Sequence, residues 1–459
     1  MELLVQKYGG TSVGSAPRLL EVAEIVKNTR EQGFRVAVVL SAMSSHIKAE
    51  GTTSMLMEAA IAAKAGGAYY KIIDEIEERH LISVENAIKD PVIKAGVTED
   101  VNKKLKKLKS FLDAIQVIEE ISPRSMDVIV GMGEKLSARI FTGVLQDQGV
   151  EAVFGNLENL IEPDYKEVNL EFCQELQRRL AKIIADAGSK VVVFTGFFGH
   201  APGGILKSIG RGYTDFTASL CAAGAKAKEL QIWKEVDGIF SADPRKVANA
   251  RVLPAITPEE ALELTYYGSE VIHPFTMEQV TRAGVPVRIK NTFHPDLPGT
   301  LVYPDALGQL LGKKATAVTV KRGVTVINLM SNRMLMAYGF MRKVFEILGR
   351  HEIVIDLIST SEVNISMTVE DPSRLDLAIK DLELLGQVSL KPNMAILSLV
   401  GQGMRQRLGI AAEMFTRLAE AQVNIELISQ GASEINISCA ISGEQADKAL
   451  KAVHQMLED

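Results

Sequence analysis

An α/β fold with a mainly parallel sheet, followed by a smaller repeated unit, is what this 459-residue sequence predicts. Three observations carry that expectation. VAVVL at 36–40 is a continuous apolar run, of the kind a strand shows when both faces are buried in a parallel sheet. Similar runs recur at 191–194 (VVVF), 229–233 (ELQIW) and 285–289 (VPVRI), with helical segments between them. Beyond residue 308 the texture changes to an internal repeat. One copy reads FMRKVFEILGRHEIVIDLISTSEVNISMTVE (340–370) and the other IAAEMFTRLAEAQVNIELISQGASEINISCAI (410–441), and both contain Ser-Glu-[Val/Ile]-Asn-Ile-Ser.

The elements follow in order. Leu3 to Gln6 form a first short strand. Ser15 and Pro17 open a helix in which Leu19, Leu20, Val22, Ala23, Ile25 and Val26 recur at helical spacing, and Gly33 ends it before the strand at 36–40. Residues 1–305 therefore read as one α/β domain. Between 64 and 120 the sequence turns charged and helix-favouring, as in EDVNKKLKKLKSFLDAIQVIEE, and its lysines read as a solvated helix face rather than an anion patch. Pro and Gly turns near 298–308 mark the boundary. Each repeat copy has a leading strand (323–330 and 394–400) and a following helix (372–385 and 443–458), which makes a βαββα unit. A ferredoxin-like βαββαβ fold needs one more strand. Spare strands at 315–320 and 386–390 lead us to expect that the two units, 315–390 and 391–459, intertwine or exchange strands.

Composition narrows the class of function. Hydrophobic residues make up 47% and charged residues 24%, with a formal net charge of -6 and no long basic run, so nucleic acid and anionic membrane are not expected partners. Cys173, Cys221 and Cys439 lie far apart and form no C-x-x-C pair, which points to a reducing compartment. No run approaches the roughly 18 apolar residues of a membrane span, and the chain enters a strand without a leader pattern. Asn364-Ile-Ser366 and Asn436-Ile-Ser438 match the glycosylation triplet but read as strand sequence. The expected location is the cytoplasm. His46, His200 and His273 make no helical H-x-x-x-H pair, so no protein metal site is expected.

Four clusters carry chemistry. VQKYGGTSVG (5–14) is a glycine-rich turn after a strand, where backbone N–H groups can approach phosphates, yet Ser15 stands where a P-loop lysine would be and Lys7 precedes the glycines. IGRGYTDFTASL (209–220) flanks Arg211 with two glycines, which suits a bidentate clamp on a carboxylate; Thr214 or Asp215 could equally be a plain N-cap. VGMGEKLS (130–137) sets Glu134 at a helix start, as a dipole-compatible acid or as the partner of an ammonium group. LQIWKEVDGIFSADPRKV (230–247) puts Trp233, the one tryptophan, at a strand's carboxyl end, where open α/β sheets bind ligands, followed by Lys234, Asp237, Asp243 and Arg245.

KYGGTSVG, LSAM, GEKLS, GRGYTDFTA, WKEVDGIFSADPR, TYYGSEVIHPFT and RIKNTF, in this order, resemble the aspartate kinases of the amino acid kinase family, most closely the fungal-type branch, and the tail resembles their tandem ACT domains. The likeness spans essentially the whole chain. It implies a three-layer αβα kinase domain followed by two ferredoxin-like ACT domains, and phosphorylation of the aspartate side-chain carboxylate by ATP with Mg²⁺. Lys7, Gly9 and Gly10 would then hold the ATP phosphates, with Lys7 also stabilising the transferring group. Ser41, Glu134, Phe197, Arg211 and Thr214 would form the aspartate site, with Glu134 on the α-ammonium and Arg211 on the α-carboxylate. Asp215 would order Lys7 and the metal–phosphate network. Trp233, Lys234, Asp237, Phe240 and Arg245 would lie on the nucleotide side. Many relatives carry a phosphate-binding lysine where this chain has Glu270, so Lys234 or Lys290 is expected to replace it.

Such chemistry explains the first loop. A carboxylate acceptor is ionised at neutral pH, its reference pKa being about 3.9, and needs positioning and charge cancellation rather than a strong base. In the first repeat Met334, Asp356, Ser361 and Glu362 match positions that hold an effector amino acid, lysine or threonine, in the family. The likeness also implies a homodimer or homotetramer paired through the ACT units. Competing readings are another amino acid kinase, such as one acting on glutamate, and an inactive ACT-domain amino-acid sensor; a dinucleotide-dependent dehydrogenase is disfavoured because neither glycine cluster completes G-x-G-x-x-G.

Overall fold

The computed structural model describes residues 1–45, 47–161, 165–210, 212–266, 272, 274–303, 315–334, 338–402, 404, 407–431 and 435–458. Arg211 and Glu270 lie outside the described residues. The chain divides into two compact units, Met1–Gly238 with Ile272–Tyr303, and Ile239–Val271 with Pro304–Asp459.

In the first unit, β1 (Leu3–Tyr8), α1 (Ala16–Glu31) and β2 (Arg35–Leu40) form the opening β-loop-α-β. Helices α2 (Thr52–Lys64), α3 (Tyr70–Ala87), α4 (Pro91–Ile118), α5 (Pro123–Val130) and α6 (Met132–Asp147) come next. Then follow β3 (Ala152–Gly155), α7 (Leu170–Asp186), β4 (Val191–Thr195), α8 (Ile205–Ser208), α9 (Tyr213–Gly224) and β5 (Glu229–Lys234). The strand Ala255–Ile256 (β6) and helix Pro258–Tyr266 (α10) belong to the second unit; α11 (Pro274–Ala283), β7 (Val287–Asn291) and β8 (Thr300–Val302) return to the first.

The strands of this unit run in the order β3-β4-β2-β1-β5-β7-β8, every neighbouring pair parallel except β7 with β8. All six residues of β1 are buried, as a central parallel strand requires. After β1 the chain goes to β2 on one side, and β5 returns on the other, so β1 and β5 flank a switch point where such sheets open a crevice. Helices cover both faces. Tyr8 and Gln6 point to the α1 side, where Gln6 Nε2 donates to Thr29 Oγ1 of α1 at 3.0 Å. Lys7 points to the α9 side. Helix α4 buries Val97, Val101, Leu105, Leu108, Leu112 and Ile115 at helical spacing and leaves Lys103, Lys106 and Lys107 in solvent. Its N-terminus is capped by Asp90, which accepts from Val92 and Ile93 N–H.

The second unit is built on an antiparallel sheet with the order β10-β11-β9-β12-β14-β13. These strands are β9 (Ala317–Met330), β10 (Ile358–Thr360), β11 (Asn364–Val369), β12 (Gln387–Val400), β13 (Ile425–Ser429) and β14 (Asn436–Ser442). Two of them, β9 and β12, are 14 residues long and serve both repeats. Residues 317–324 of β9 pair with 394–400 of β12, beside β14; residues 326–330 of β9 pair with 387–391 of β12, beside β11. Each repeat thus receives its last strand from the extension of the other's first. The register shifts between Lys391 and Met394, where Asn393 has φ +58° and Gly323, on the facing stretch of β9, has φ +75°. Helices Phe340–Arg350 and Leu375–Glu383 cover Ile327, Leu329, Ile365 and Met367; helices Ile410–Glu420 and Ala446–His454 cover Leu397, Leu399, Ile437 and Cys439. Ser241, near the start of this unit's first segment, is buried and anchors that segment: its carbonyl accepts from Val318 N–H of β9 at 2.8 Å, and its hydroxyl lies 2.9 Å from His454 Nε2. Among the described residues no helix is long and apolar enough to cross a membrane.

Candidate active site

The carboxyl ends of β1, β2, β4 and β5 converge on one edge of the first unit's sheet, and the expected residues follow them. Lys7 Nζ meets the Asp215 carboxylate at 2.7 Å, both side chains nearly buried. Asp215 sits in the first turn of α9, where the helix dipole favours a negative charge. Sheet and helix are thereby joined by an ion pair at the mouth of the crevice.

The glycines divide into two kinds. A Cβ on Gly9 would meet nothing within 4 Å, so that position faces open space. A Cβ on Gly10 would collide with the Ala42 carbonyl and Ser44, and one on Gly14 with the Ser44 carbonyl oxygen. The loop is clasped against residues 42–44, and Ser44 N–H donates to Gly10 O at 3.0 Å. Gly131 and Gly133, before Glu134, serve packing as well: side chains there would overlap the Phe197 ring and the Ala42 methyl. Gly196 likewise leaves room for Thr214, whose side chain sits against it beside the end of β2.

Glu134 is 1% exposed in the first turn of α6. Burial pushes its carboxyl up to about 7, although a hydrogen bond from Tyr213, its own N–H and the Ala42 N–H favour the anion. Tyr213 Oη donates to Glu134 Oε1 at 2.5 Å, and Oε2 has no hydrogen-bond partner among the described residues. A buried carboxylate oxygen without a donor is the feature an ammonium group would satisfy. Phe197, 2% exposed, packs edge-on to Tyr213 at 6.4 Å. Ser41 follows β2 and donates its N–H to Tyr8 O.

The nucleotide-side residues disperse. Trp233 is buried, stacks on Tyr8 at 5.7 Å and carries Lys290 over its face at 5.0 Å. Strand register explains this: Tyr8, Trp233 and Lys290 are lateral partners and share the face opposite Lys7. Lys234 is one step further along β5 and shares the face of Lys7. Asp237 accepts from Asn291 Nδ2 at 2.6 Å and pairs with His294 Nδ1 at 2.7 Å, which hold its carboxyl below the usual range. Phe240 and Arg245 fall in the second unit, Phe240 bridging Val252 and Arg245 forming an exposed bidentate pair with Asp243.

Several participants escaped the sequence reading. Tyr213 is one, since an aromatic at a helix start reads as packing. Asp127 is another: it is buried, accepts from Ile205 N–H at 2.9 Å and so fixes the entry to α8, and burial pushes its carboxyl up to about 6. Thr292 and Phe293, within the RIKNTF motif but given no role of their own, are a third case. Thr292 Oγ1 meets Ser12 Oγ of the glycine loop at 3.0 Å, and Phe293 receives the Arg18 guanidinium 4.1 Å above its ring.

In the second unit, Asp356 is engaged by Lys321 of β9 at 2.9 Å, and Lys321 also reaches Glu370 at 3.0 Å. Met334 packs at the edge of the first repeat's core, while Ser361 and Glu362 are exposed at the turn between β10 and β11.

A mainly parallel open sheet with a charged crevice at the strands' carboxyl ends, joined in the chain to a unit built on an antiparallel sheet, is the frame in which the comparisons fall. The chain belongs to the amino acid kinase family, whose model matches residues 2–291, and a model of the ACT domain matches residues 327–383 and 397–457. Within it, the aspartokinase of Schizosaccharomyces pombe is 46% identical over 99% of this chain and 92% of its own length, and that of Saccharomyces cerevisiae 44% identical over 99% and 92%. Among solved structures, E. coli aspartokinase III in complex with aspartate and ADP matches with a TM-score of 0.80 at 27% identity, each chain covered completely. Clostridium acetobutylicum aspartate kinase matches at 0.82 and 27%, over 99% of this chain and 100% of its own. The protein is an enzyme, an aspartate kinase.

Two outcomes follow from the site's packing and charge. Gly14→Ala should destabilise the fold by about 1–3 kcal/mol through overpacking, while Gly9→Ala leaves the thermal midpoint unchanged, as melting curves would register. Glu134→Gln should raise the midpoint by a few degrees at pH 8. The folded state holds the Glu134 proton more tightly than the unfolded chain does, so its anion weakens the fold above about pH 7, and the gain should shrink as pH falls toward 4.5.

Proposed function

We propose that this aspartate kinase transfers the γ-phosphoryl group of ATP to the side-chain carboxylate of L-aspartate. A carboxylate oxygen forms the new P–O bond, the bond to the β-phosphate oxygen breaks, and ADP leaves with 4-phospho-L-aspartate as product. The observation that carries this reading is the buried Lys7–Asp215 pair beside the open face of Gly9. A lysine rigidly held at a strand end cancels charge between an anionic nucleophile and an anionic phosphate, without a Walker lysine. Glu134 Oε2 receives the substrate's α-ammonium, and Ser41 and Thr214 line the reacting end. The role of Arg211 on the α-carboxylate rests on the motif alone. The complex of E. coli aspartokinase III with aspartate and ADP supports both ligands.

Gly9 and Gly10 cradle the phosphates, and Lys234, on the same face as Lys7, replaces the phosphate-binding lysine; Lys290 lies over Trp233 on the other face. Mg²⁺ arriving with the nucleotide would be held beside Asp215, in the first turn of α9. When bound, that ion neutralises the phosphate oxygens.

Residues 1–305 form the catalytic domain on this reading, with ACT domains at 315–390 and 391–459. The reaction opens the route to lysine, threonine and methionine, and an end-product amino acid inhibits it at Met334, Asp356, Ser361 and Glu362. E. coli aspartokinase III in complex with lysine supports an amino-acid effector. Here Lys321 already neutralises Asp356, which favours an effector with an uncharged side chain, threonine over lysine. The enzyme works in the cytoplasm as a homodimer or homotetramer paired through its ACT domains, a state that light scattering would measure.

A coupled ATP-turnover assay should show turnover with aspartate and none with glutamate. Lys7→Ala should lower kcat at least about 100-fold in a folded protein, the scale of losing one charge-stabilising donor; near-normal turnover would end the assignment. Lys321→Met should strengthen lysine binding in calorimetry by about tenfold or more, since it frees a charge-assisted contact at Asp356. An unchanged preference between threonine and lysine would remove Lys321 from effector choice.

A further inference from the structure

We propose that Tyr213 is the positioning residue of the substrate-ammonium subsite: its hydroxyl fixes Glu134 Oε1 so that Oε2 alone is presented to the ammonium. The inference rests on the reading of Glu134 as that group's partner. Tyr213 begins α9 and Glu134 lies in the first turn of α6, so one hydrogen bond of 2.5 Å joins two helix N-termini. Both side chains are buried, at 4% and 1% exposure.

The direction of the bond is determined. Burial holds the phenol well above its ordinary range, so it remains a donor. The Thr53 side chain, on α2, acts on the same phenol in the opposite sense to burial, and the phenol's hydrogen bond to Glu134 Oε1 has the hydroxyl as donor. The Phe197 ring, at 90° to that of Tyr213, limits its rotation. A carboxylate held on one oxygen by an O–H donor, with the other bare, is a directional acceptor for N⁺–H.

The charged groups around Glu134 are otherwise engaged. Lys135, its neighbour on α6, is buried and turns to Glu158 at 2.9 Å. Asp127, on α5, is occupied by the Ile205 N–H, which donates to its carboxylate. Tyr213 also shares a helical turn with Thr214 and Asp215. The group that orients the ammonium is therefore on the same rigid element as the group that pairs with Lys7, so substrate and phosphoryl subsites keep a fixed separation.

Steady-state kinetics across pH on Tyr213→Phe, Thr53→Val and Glu134→Gln test this. Tyr213→Phe should raise KM for aspartate about tenfold, the scale of a lost hydrogen bond to a charged group, with kcat within about twofold and KM for ATP unchanged. The acid limb of kcat/KM for aspartate should move to higher pH, because the lost bond favoured the Glu134 anion. Thr53→Val, which keeps the ring in place, should move that limb in the same direction by less, and it decides the matter should Tyr213→Phe fail to fold. A folded Tyr213→Phe with an unshifted limb, or with both KM values rising together, overturns the proposal. If Glu134→Gln raises KM for aspartate while Tyr213→Phe does not, Tyr213 alone is removed from the site. If neither raises it, the reading of Glu134 itself falls.

Discussion

The ion pair between Lys7 and Asp215 constrains more of this enzyme than any other contact. Strand β1 is buried along its whole length, so a lysine can exist on it only where the strand ends, and only if its charge is met. Asp215 meets it at 2.7 Å from the first turn of α9. That requirement fixes how α9 crosses the sheet, and with it the positions of Thr214 and Tyr213 in the same turn. A buried pair of this kind contributes little net stability, but removing one partner strands the other and is costly. Its place at the mouth of a crevice is what the role proposed above, charge cancellation during phosphoryl transfer, draws on.

Glycine use follows from the same geometry. Gly10, Gly14, Gly131, Gly133 and Gly196 let the loops after β1, β2 and β4 and the α5–α6 junction pack until there is no room for a methyl group. Gly9 is different, with empty space where a side chain would project. The site consists of a tightly clasped rim and one deliberately open position, and the rim's closeness is what brings Glu134, Phe197 and Thr214 into a single small volume.

Much of the fold was legible because burial writes itself into sequence. The apolar runs at 36–40 and 191–194 and the amphipathic repeat helices mark their own environments, and the spacing of Lys7, Glu134 and Asp215 within glycine-rich motifs marks the crevice. Strand register was not legible. Whether Trp233 faces the crevice or the core depends on its pairing with Tyr8, and neighbouring strand residues differ in face by a single step. Short strands such as β3 and β8 carry too few residues to show a pattern. Tyr213 and Asp127 were missed for a further reason: they act on other protein groups, and a tyrosine or aspartate near a helix start has an adequate local explanation without any partner.

The exchanged halves of β9 and β12 have a consequence for how this protein can be divided. The two repeats look like beads on a string in sequence, yet any cut between them leaves each sheet with an exposed edge where its neighbour's strand belonged. Neither repeat is a module that recombination could duplicate, delete or transplant singly. The inheritable unit is the pair, and sequence drift in one copy is answerable to the other through fourteen-residue strands that both must accommodate.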